Sequence, residues 1–128
     1  MKIKIIFIAV LTIFVFTQCD KDEKCIEYHQ AAITMTNTPT LGEVNKEIPI
    51  IISFGCFNGC GQFDSFEESK QGNVLIINVI AKYEGCACTQ DAPTKQATYL
   101  FETSEQGVYY LKFKQNDNNY LIDTLIIE

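Results

Sequence analysis

Residues 73–83 read NVLIINVIAKY, and this stretch decides the fold class of the chain. An extended strand places every second side chain on one face. In this stretch, that face carries Leu75, Ile77, Val79, Ala81 and Tyr83. β-branched and aromatic residues dominate the stretch, and SKQG at 69–72 supplies turn residues before it. The pattern predicts a β-strand with one buried face.

Six further stretches have the same character and are separated by gaps rich in turn residues. They are AAITMT (31–36), EIPIIISF (47–54), GQFDSFEES (61–69), ATYLFE (97–102), VYYLKFK (108–114) and NYLIDTLIIE (119–128). In the first of them Ile33 and Met35 share a predicted face. Seven short strands without a helix in about 100 residues predict an all-β, immunoglobulin-like, seven-stranded β-sandwich over residues 26–128.

Three local features bear on this sandwich. The stretch GVYYL at 107–111 resembles the G-x-Y-x-C of immunoglobulin-type domains, with Leu111 in place of the cysteine. Tyr109 is then either a tyrosine-corner residue or an ordinary strand tyrosine. Pro49 is acceptable only near the start of a strand or at a bulge. Asn58-Gly59 is typical of a two-residue hairpin turn, whereas the second and third strands of an immunoglobulin fold lie in different sheets.

The chain begins with Lys2, Lys4 and an apolar run over residues 5–16. This run is too short for a helix across a hydrocarbon core of about 30 Å, but it suits the apolar region of a signal peptide. We therefore predict a signal peptide over residues 1–18. Residues 19–25 form a charged tether before the sandwich.

Thr17-Gln18-Cys19 resembles the lipobox of Bacteroidetes-type lipoproteins, in which the cysteine carries the lipid. The resemblance implies a protein anchored to the outer membrane through Cys19, because several acyl chains give lasting attachment. Lys21, Asp22 and Glu23 resemble the surface-export signal of such lipoproteins. The alternatives are a solvated tether and a protein that faces the periplasm.

The charge of the chain excludes one class of partner. Residues 19–128 keep eight of the ten lysines, contain no arginine and carry all 16 acidic residues, which gives a formal charge of −8. Such a chain lacks the basic footprint of a nucleic-acid-binding protein. We expect the membrane as a partner and an unidentified protein or glycan as the ligand.

With Cys19 lipidated, five cysteines remain as disulfide candidates: Cys25, Cys56, Cys60, Cys86 and Cys88. An odd number leaves at least one without a partner within the chain. In a succession of seven strands, the positions of all five converge on one end of the sandwich. Cys86 and Cys88 are too close in sequence to bond to each other on an extended strand. Each is expected to pair with one of the other three.

A metal site is the alternative for four of these thiols, Cys56, Cys60, Cys86 and Cys88. They could bind zinc or cuprous copper as thiolates. Neither pair has the common C-x2-C spacing, and His29 is the only histidine. A redox role has less support, because the chain has no C-x-x-C motif. We expect no cofactor.

From Cys60 onward the chain resembles a group of small Bacteroidetes lipoproteins with an immunoglobulin-like domain. The resemblance rests on GCGQF (59–63), AKYEGCACTQ (81–90), GVYYLKF (107–113) and DTLIIE (123–128). It implies the fold and the lipid anchor and carries no activity with it.

No catalytic constellation is evident. His29 has no nucleophile motif beside it, and Glu67 and Glu68 are adjacent, so a strand would turn them to opposite faces. A glycan site would need exposed aromatic side chains. The chain has no tryptophan, and Tyr110 and Tyr120 are the tyrosines expected to face outward. We therefore expect a binding or structural module of the cell surface rather than an enzyme. A periplasmic metal-binding or thiol-active protein is the alternative.

Overall fold

The computed structural model describes residues 25–128, where the chain forms eight β-strands and no helix. The strands are β1 (Ile26–Asn37), β2 (Leu41–Gly42), β3 (Ile48–Gly55), β4 (Gly61–Gln71), β5 (Val74–Glu84), β6 (Thr94–Phe101), β7 (Gly107–Lys114) and β8 (Tyr120–Ile127). All seven predicted strands are present, and the two-residue β2 is the addition. The prediction of an all-β sandwich is confirmed. No helix in this part of the chain could serve as a membrane span.

Several predicted features lie outside the described residues. They are the signal peptide at 1–18, Cys19, and the export signal of Lys21, Asp22 and Glu23. Of the predicted tether, only Cys25 is described, and β1 begins directly after it.

The sandwich has a large and a small sheet, and β1 belongs to both. The large sheet contains β4, β5, β7, β8 and β2, and the small sheet contains β3 and β6. The first half of β1 pairs with β5 as far as Ala31, and its second half pairs with β3 from Ala32 onward. Two small alanines therefore lie where the strand passes from one sheet to the other.

The second half of β1 contains a β-bulge that changes the predicted alternation. The register against β3 shifts between Ile33 and Met35. Ile33 is fully buried, whereas Met35 is 66% exposed. The predicted common face of these two residues is wrong, because a bulge inserts one extra residue and turns the following side chains over.

The strand connections also differ in part from what local signals indicate. Asn58-Gly59 joins β3 of the small sheet to β4 of the large sheet, so it is not a hairpin turn. β5 and β7 pair in parallel, because the connection between them passes through β6 in the opposite sheet. Pro49 is the second residue of β3 and lies beyond the last residue of this strand that pairs with β1, so it is near the start of the strand as predicted.

One core fills the space between the sheets. It contains the predicted inner face of β5 and the inner residues of β3, β7 and β8, among them Ile50, Ile52, Phe54, Leu111, Phe113 and Leu125. Tyr109 also lies in the core, and its hydroxyl donates to the backbone oxygen of Glu105 at 2.8 Å. The tyrosine-corner interpretation of Tyr109 is therefore confirmed.

Candidate functional site

Four of the five predicted cysteines form two disulfides at one end of the sandwich. Cys25 is bonded to Cys86, and Cys60 is bonded to Cys88. We call this end, with Cys25, residues 56–60 and residues 85–93, the cysteine pole. The prediction that Cys86 and Cys88 each pair with a cysteine elsewhere is confirmed. Cys56 is the fifth cysteine, and it is a buried free thiol.

Backbone hydrogen bonds hold the three segments of the cysteine pole together. The Gly85 amide donates to the Cys25 carbonyl at 2.9 Å, and the Gly59 amide donates to the Thr89 carbonyl at 3.0 Å. The Cys56 amide donates to the Pro93 carbonyl at 2.9 Å. The pole is thus fixed by polar contacts as well as by covalent bonds.

Two glycines at the pole are needed for close packing around the sulfur atoms. A Cβ on Gly61 would lie 2.6 Å from the Cβ and 2.7 Å from the Sγ of Cys56, and 2.8 Å from a ring carbon of Tyr83. Gly85 has a φ of 142°, and a Cβ there would lie 2.9 Å from the Sγ of Cys60. A side chain at Gly61 would displace Cys56 or Tyr83, and a side chain at Gly85 would displace the disulfide-bonded Cys60.

Phe57, Tyr83 and His29 form an aromatic cluster beside the disulfides. The Phe57 and Tyr83 rings stack with centroids 3.9 Å apart, and the edge of His29 meets both rings at 5.1 and 5.6 Å. The Phe57 amide donates to the Tyr83 hydroxyl at 3.0 Å. Phe57 remains 55% exposed, so the cluster presents an aromatic surface to solvent.

The Tyr83 hydroxyl and the Cys56 thiol interact in the interior of the pole. Burial raises the pKa of Tyr83, and the Cys56 thiol beside the phenol raises it further, although the Phe57 amide acts in the opposite direction. The phenol therefore stays protonated at neutral pH.

A cavity of about 360 Å³ opens between the aromatic cluster and the disulfides. Its lining consists of Cys25, Glu27, Asn58, Tyr83, Gly85, Cys86, Cys88 and Gln90. The Glu27 carboxylate lies 3.0 Å from the His29 Nε2, and the Asn58 side-chain oxygen accepts a hydrogen bond from the Cys60 amide at 2.9 Å. The cavity thus offers polar groups and disulfide sulfur, but no nucleophile adjacent to a base.

The alternative metal set does not form in this structure. Three of its four members, Cys60, Cys86 and Cys88, are in disulfides and cannot act as thiolate ligands. Within residues 25–128, no group of three or more His, Cys, Asp or Glu side chains is placed to bind a metal ion. Cys56 alone keeps its thiol.

The two tyrosines considered for a glycan site lie on the outer face of the large sheet. Tyr110 pairs with Thr124 and is 42% exposed, and Tyr120 pairs with Lys114. The Lys112 ammonium lies 5.9 Å from the centroid of the Tyr120 ring. Tyr110 is therefore available at the surface, whereas Tyr120 is partly covered.

Sequence reasoning missed the aromatic cluster. Phe57 and Tyr83 are 26 residues apart, and no local pattern brings their rings together. Tyr83 was recognised only as a core residue of its strand. The one available signal was the position of Phe57 directly after Cys56, inside a loop expected at the same end of the sandwich as Cys86.

The model of one known protein family matches this chain. It is that of the ORF11 beta-sandwich domain, and it covers residues 50–125, more than half of the chain. The chain therefore belongs to the ORF11 beta-sandwich domain family. The match includes Cys56, Cys60, Cys86 and Cys88 and leaves out Cys25. No curated protein and no solved structure was found to match the chain.

Proposed function

We propose that this ORF11 beta-sandwich protein is a lipid-anchored protein of the cell envelope that serves as a non-catalytic binding or structural module at the cell surface. Cys19 is the lipidated residue, and Lys21, Asp22 and Glu23 direct export to the surface. The outer membrane is the site of attachment. Retention on the periplasmic side is the alternative.

The observation that carries this proposal is the pair of disulfides at the cysteine pole. Disulfides persist in oxidising compartments outside the cytosol, where lipoproteins reside. Cys25 begins the described chain and is bonded to Cys86, so the sandwich is held covalently close to the proposed anchor. Five residues lie between Cys19 and Cys25, so the two can be at most about 20 Å apart when this stretch is fully extended. The cysteine pole would then face the membrane.

A non-catalytic role is supported by the chemistry of the pole. The disulfides withdraw four sulfur atoms from reaction, and Cys56 is only 3% exposed. His29 contacts a carboxylate and two aromatic rings rather than a hydroxyl or thiol nucleophile. What the pole contributes is rigidity, since it locks three chain segments at one end of the domain.

Mass spectrometry of the intact protein, purified from the membrane fraction, tests the anchor. We expect the chain to begin at Cys19 and to carry acyl groups, and we expect Cys19→Ser to leave the membrane fraction. Cys56→Ser is the matched control, because it also replaces one unpaired cysteine and should keep the lipid. An unmodified Cys19 that reacts with iodoacetamide would contradict the proposal.

Protease treatment of intact cells tests surface display. The wild-type domain should be accessible, whereas a variant with alanine at positions 21, 22 and 23 should become protected while remaining lipidated. Equal protection of both proteins would favour the periplasmic side.

A count of free thiols separates the binding module from a thiol-active or metal-binding protein. The denatured, non-reduced protein should react with one equivalent of maleimide, at Cys56. Four or five reactive thiols together with bound zinc or copper would favour the alternative.

A further inference from the structure

β4 and β6 are the edge strands of the two sheets on the same side of the sandwich, where Phe66 of β4 meets Tyr99 of β6. β4 is the last strand of the large sheet, and β6 is the last strand of the small sheet. Register against the buried residues of β5 shows that Phe63, Phe66, Glu68 and Lys70 point toward the interior. Even so, Phe63 is 39% exposed, and Glu68 and Lys70 are also exposed. These inward-facing residues of β4 are therefore left partly uncovered by the small sheet.

The uncovered residues continue the core outward as a row of rings. Phe63 lies 6.2 Å from the buried Phe54 and 4.7 Å from Phe66, measured between ring centroids. Phe66 in turn meets Tyr99 of β6 at 5.2 Å. We call Phe63, Phe66 and Glu68 the β4 strip. It lies directly beside the free edge of β6.

The two free edges are not equally protected against pairing with another strand. β4 has a bulge between Phe63 and Ser65 and carries Asp64, Glu67, Glu68 and Lys70, which are features that discourage further pairing. β6 keeps an unbroken register of eight pairs with β3, and Lys95 is its one charged residue. Among the described residues, β6 pairs with no strand other than β3.

We propose that β6 accepts an additional β-strand from a partner protein and that this strand covers the β4 strip. Backbone hydrogen bonds to β6 would supply the pairing, and alternate side chains of the partner would point at β4. Two of them would be apolar and lie over Phe63 and Phe66. The next would be lysine or arginine beside Glu68.

Charge supports a basic partner. Asp64, Glu67 and Glu68 make no ion pair within residues 25–128. The Lys70 ammonium lies over the Tyr109 ring at 5.8 Å, and Lys95 pairs opposite Phe54, so the two cations border the strip at its ends. The Glu68 carboxylate lies close enough to the Tyr99 phenol to raise the pKa of that phenol, which places the carboxylate beside β6.

A second copy of the chain is a poorer occupant. Pairing of β6 with β6 would place both β4 strands on the same side of the joined sheet. Each β4 carries Asp64, Glu67 and Glu68, so this pairing would bring like charges of the two copies toward each other. The partner strand is therefore expected to come from a different protein.

This inference rests on the binding role within the proposed function and does not depend on the lipid at Cys19. A failure of the lipid-anchor experiment would therefore leave the inference about β6 intact, and a failure of the peptide experiment would leave the lipid anchor intact. The probes are synthetic heptapeptides, Thr-x-Thr-x-Thr-z-Thr and its reversed sequence, in which x is Val, Ile or Phe and z is Lys or Glu. Binding to the intact purified protein is followed by amide chemical shifts and by hydrogen exchange.

We expect the peptides to slow hydrogen exchange of amides in β6. Peptides with Lys at z should bind about fivefold more tightly than peptides with Glu at z, which corresponds to the upper range for an exposed ion pair. Glu68→Lys should reverse this preference. Asp117→Lys makes the same change in charge on the β7–β8 loop and should leave the preference as it is. In a bound strand the N–H groups of alternate residues point at β6. We therefore expect binding to be abolished by N-methylation of one of two sets, the x and z residues or the Thr residues, and to survive N-methylation of the other.

Three results would overturn the inference. The first is absence of binding by every peptide at millimolar concentration. The second is binding that shifts amides elsewhere and leaves those of β6 unchanged. The third is a concentration-dependent dimer that protects β6 without any peptide, because the occupant would then be a second copy.

Discussion

The hydroxyl of Tyr109 donates a 2.8 Å hydrogen bond to the backbone oxygen of Glu105 and lies 2.9 Å from the Thr103 hydroxyl. These bonds fix the turn that enters β7 while the ring packs against Phe101 in the core. The corner is therefore a point where the core and a connecting loop stabilise each other.

Tyr109→Phe should destabilise the protein by about 1–2 kcal/mol, because it keeps the ring but removes the donor to the Glu105 oxygen and one of the two hydrogen bonds of the Thr103 hydroxyl. Urea denaturation measures the change. Tyr110→Phe is the matched control, because Tyr110 is 42% exposed and should show little effect. Equal stability of the two variants would contradict a role for the corner.

Loss of either disulfide should reduce stability, and Cys25–Cys86 should contribute more. It spans 61 residues, whereas Cys60–Cys88 spans 28. The loop-entropy relation gives about 4.3 kcal/mol for the longer loop and about 3.6 kcal/mol for the shorter. Double alanine variants of each pair, compared by thermal unfolding without reductant, test this order. Peptide mapping of the non-reduced protein checks the pairing itself, and a bond from Cys56 to any cysteine would contradict it.

Gly61→Ala should destabilise by about 1–3 kcal/mol, the usual cost of an added methyl group in a packed interior. Its Cβ would meet Cys56 and Tyr83 at less than 3 Å. Gly55→Ala is the matched control, since a Cβ at Gly55 meets nothing within 4 Å and the same substitution there should be neutral or slightly stabilising. Equal losses of stability for the two variants in chemical denaturation would show that Gly61 is not needed to leave space for Cys56.

Stability should fall in alkaline solution because of Tyr99. Burial raises the pKa of Tyr99, and the Glu68 carboxylate raises it further. Below the unfolded pKa near 10, the Tyr99 phenol is protonated in the folded and unfolded states, so its full contribution to the free energy of unfolding is present. As the pH rises from there toward the folded pKa, the unfolded state loses the proton first, and stability declines by up to about 1.4 kcal/mol per pH unit.

Urea denaturation between pH 8 and about pH 11, just above the ordinary tyrosine pKa, tests this dependence. Tyr99→Phe should give a shallower decline than the wild type. Some decline should remain, because the pKa of Tyr83 is raised as well. A slope that Tyr99→Phe leaves unchanged would show that Tyr99 is not responsible.

The strands were predictable because each has a period of two and ends at turn residues. The prediction of the inner face of β5 was correct at every position from Leu75 to Tyr83. The convergence of the cysteines was predictable from strand order alone. The identity of the free cysteine, Cys56, was not predictable, because five candidates allow several pairings and only the fold decides which sulfur atoms meet.

Other features depend on contacts between distant residues and have no local signal. The bulge before Met35 and the transfer of β1 between sheets follow from what β3 and β5 offer as neighbours. β2 exists only because two residues lie beside the end of β8. The stacking of Phe57 on Tyr83 likewise needs two loops to be in place first.

The bond between Cys25 and Cys86 has a mechanical consequence. Tension applied between the two ends of the chain would pass through this bond and bypass residues 26–85, which lie between its cysteines. The bypassed segment could not lengthen fully under load until this bond and Cys60–Cys88 were both reduced, and together they withhold about 200 Å of extension. In a pulling experiment, addition of a reductant should therefore appear as a discrete gain in contour length.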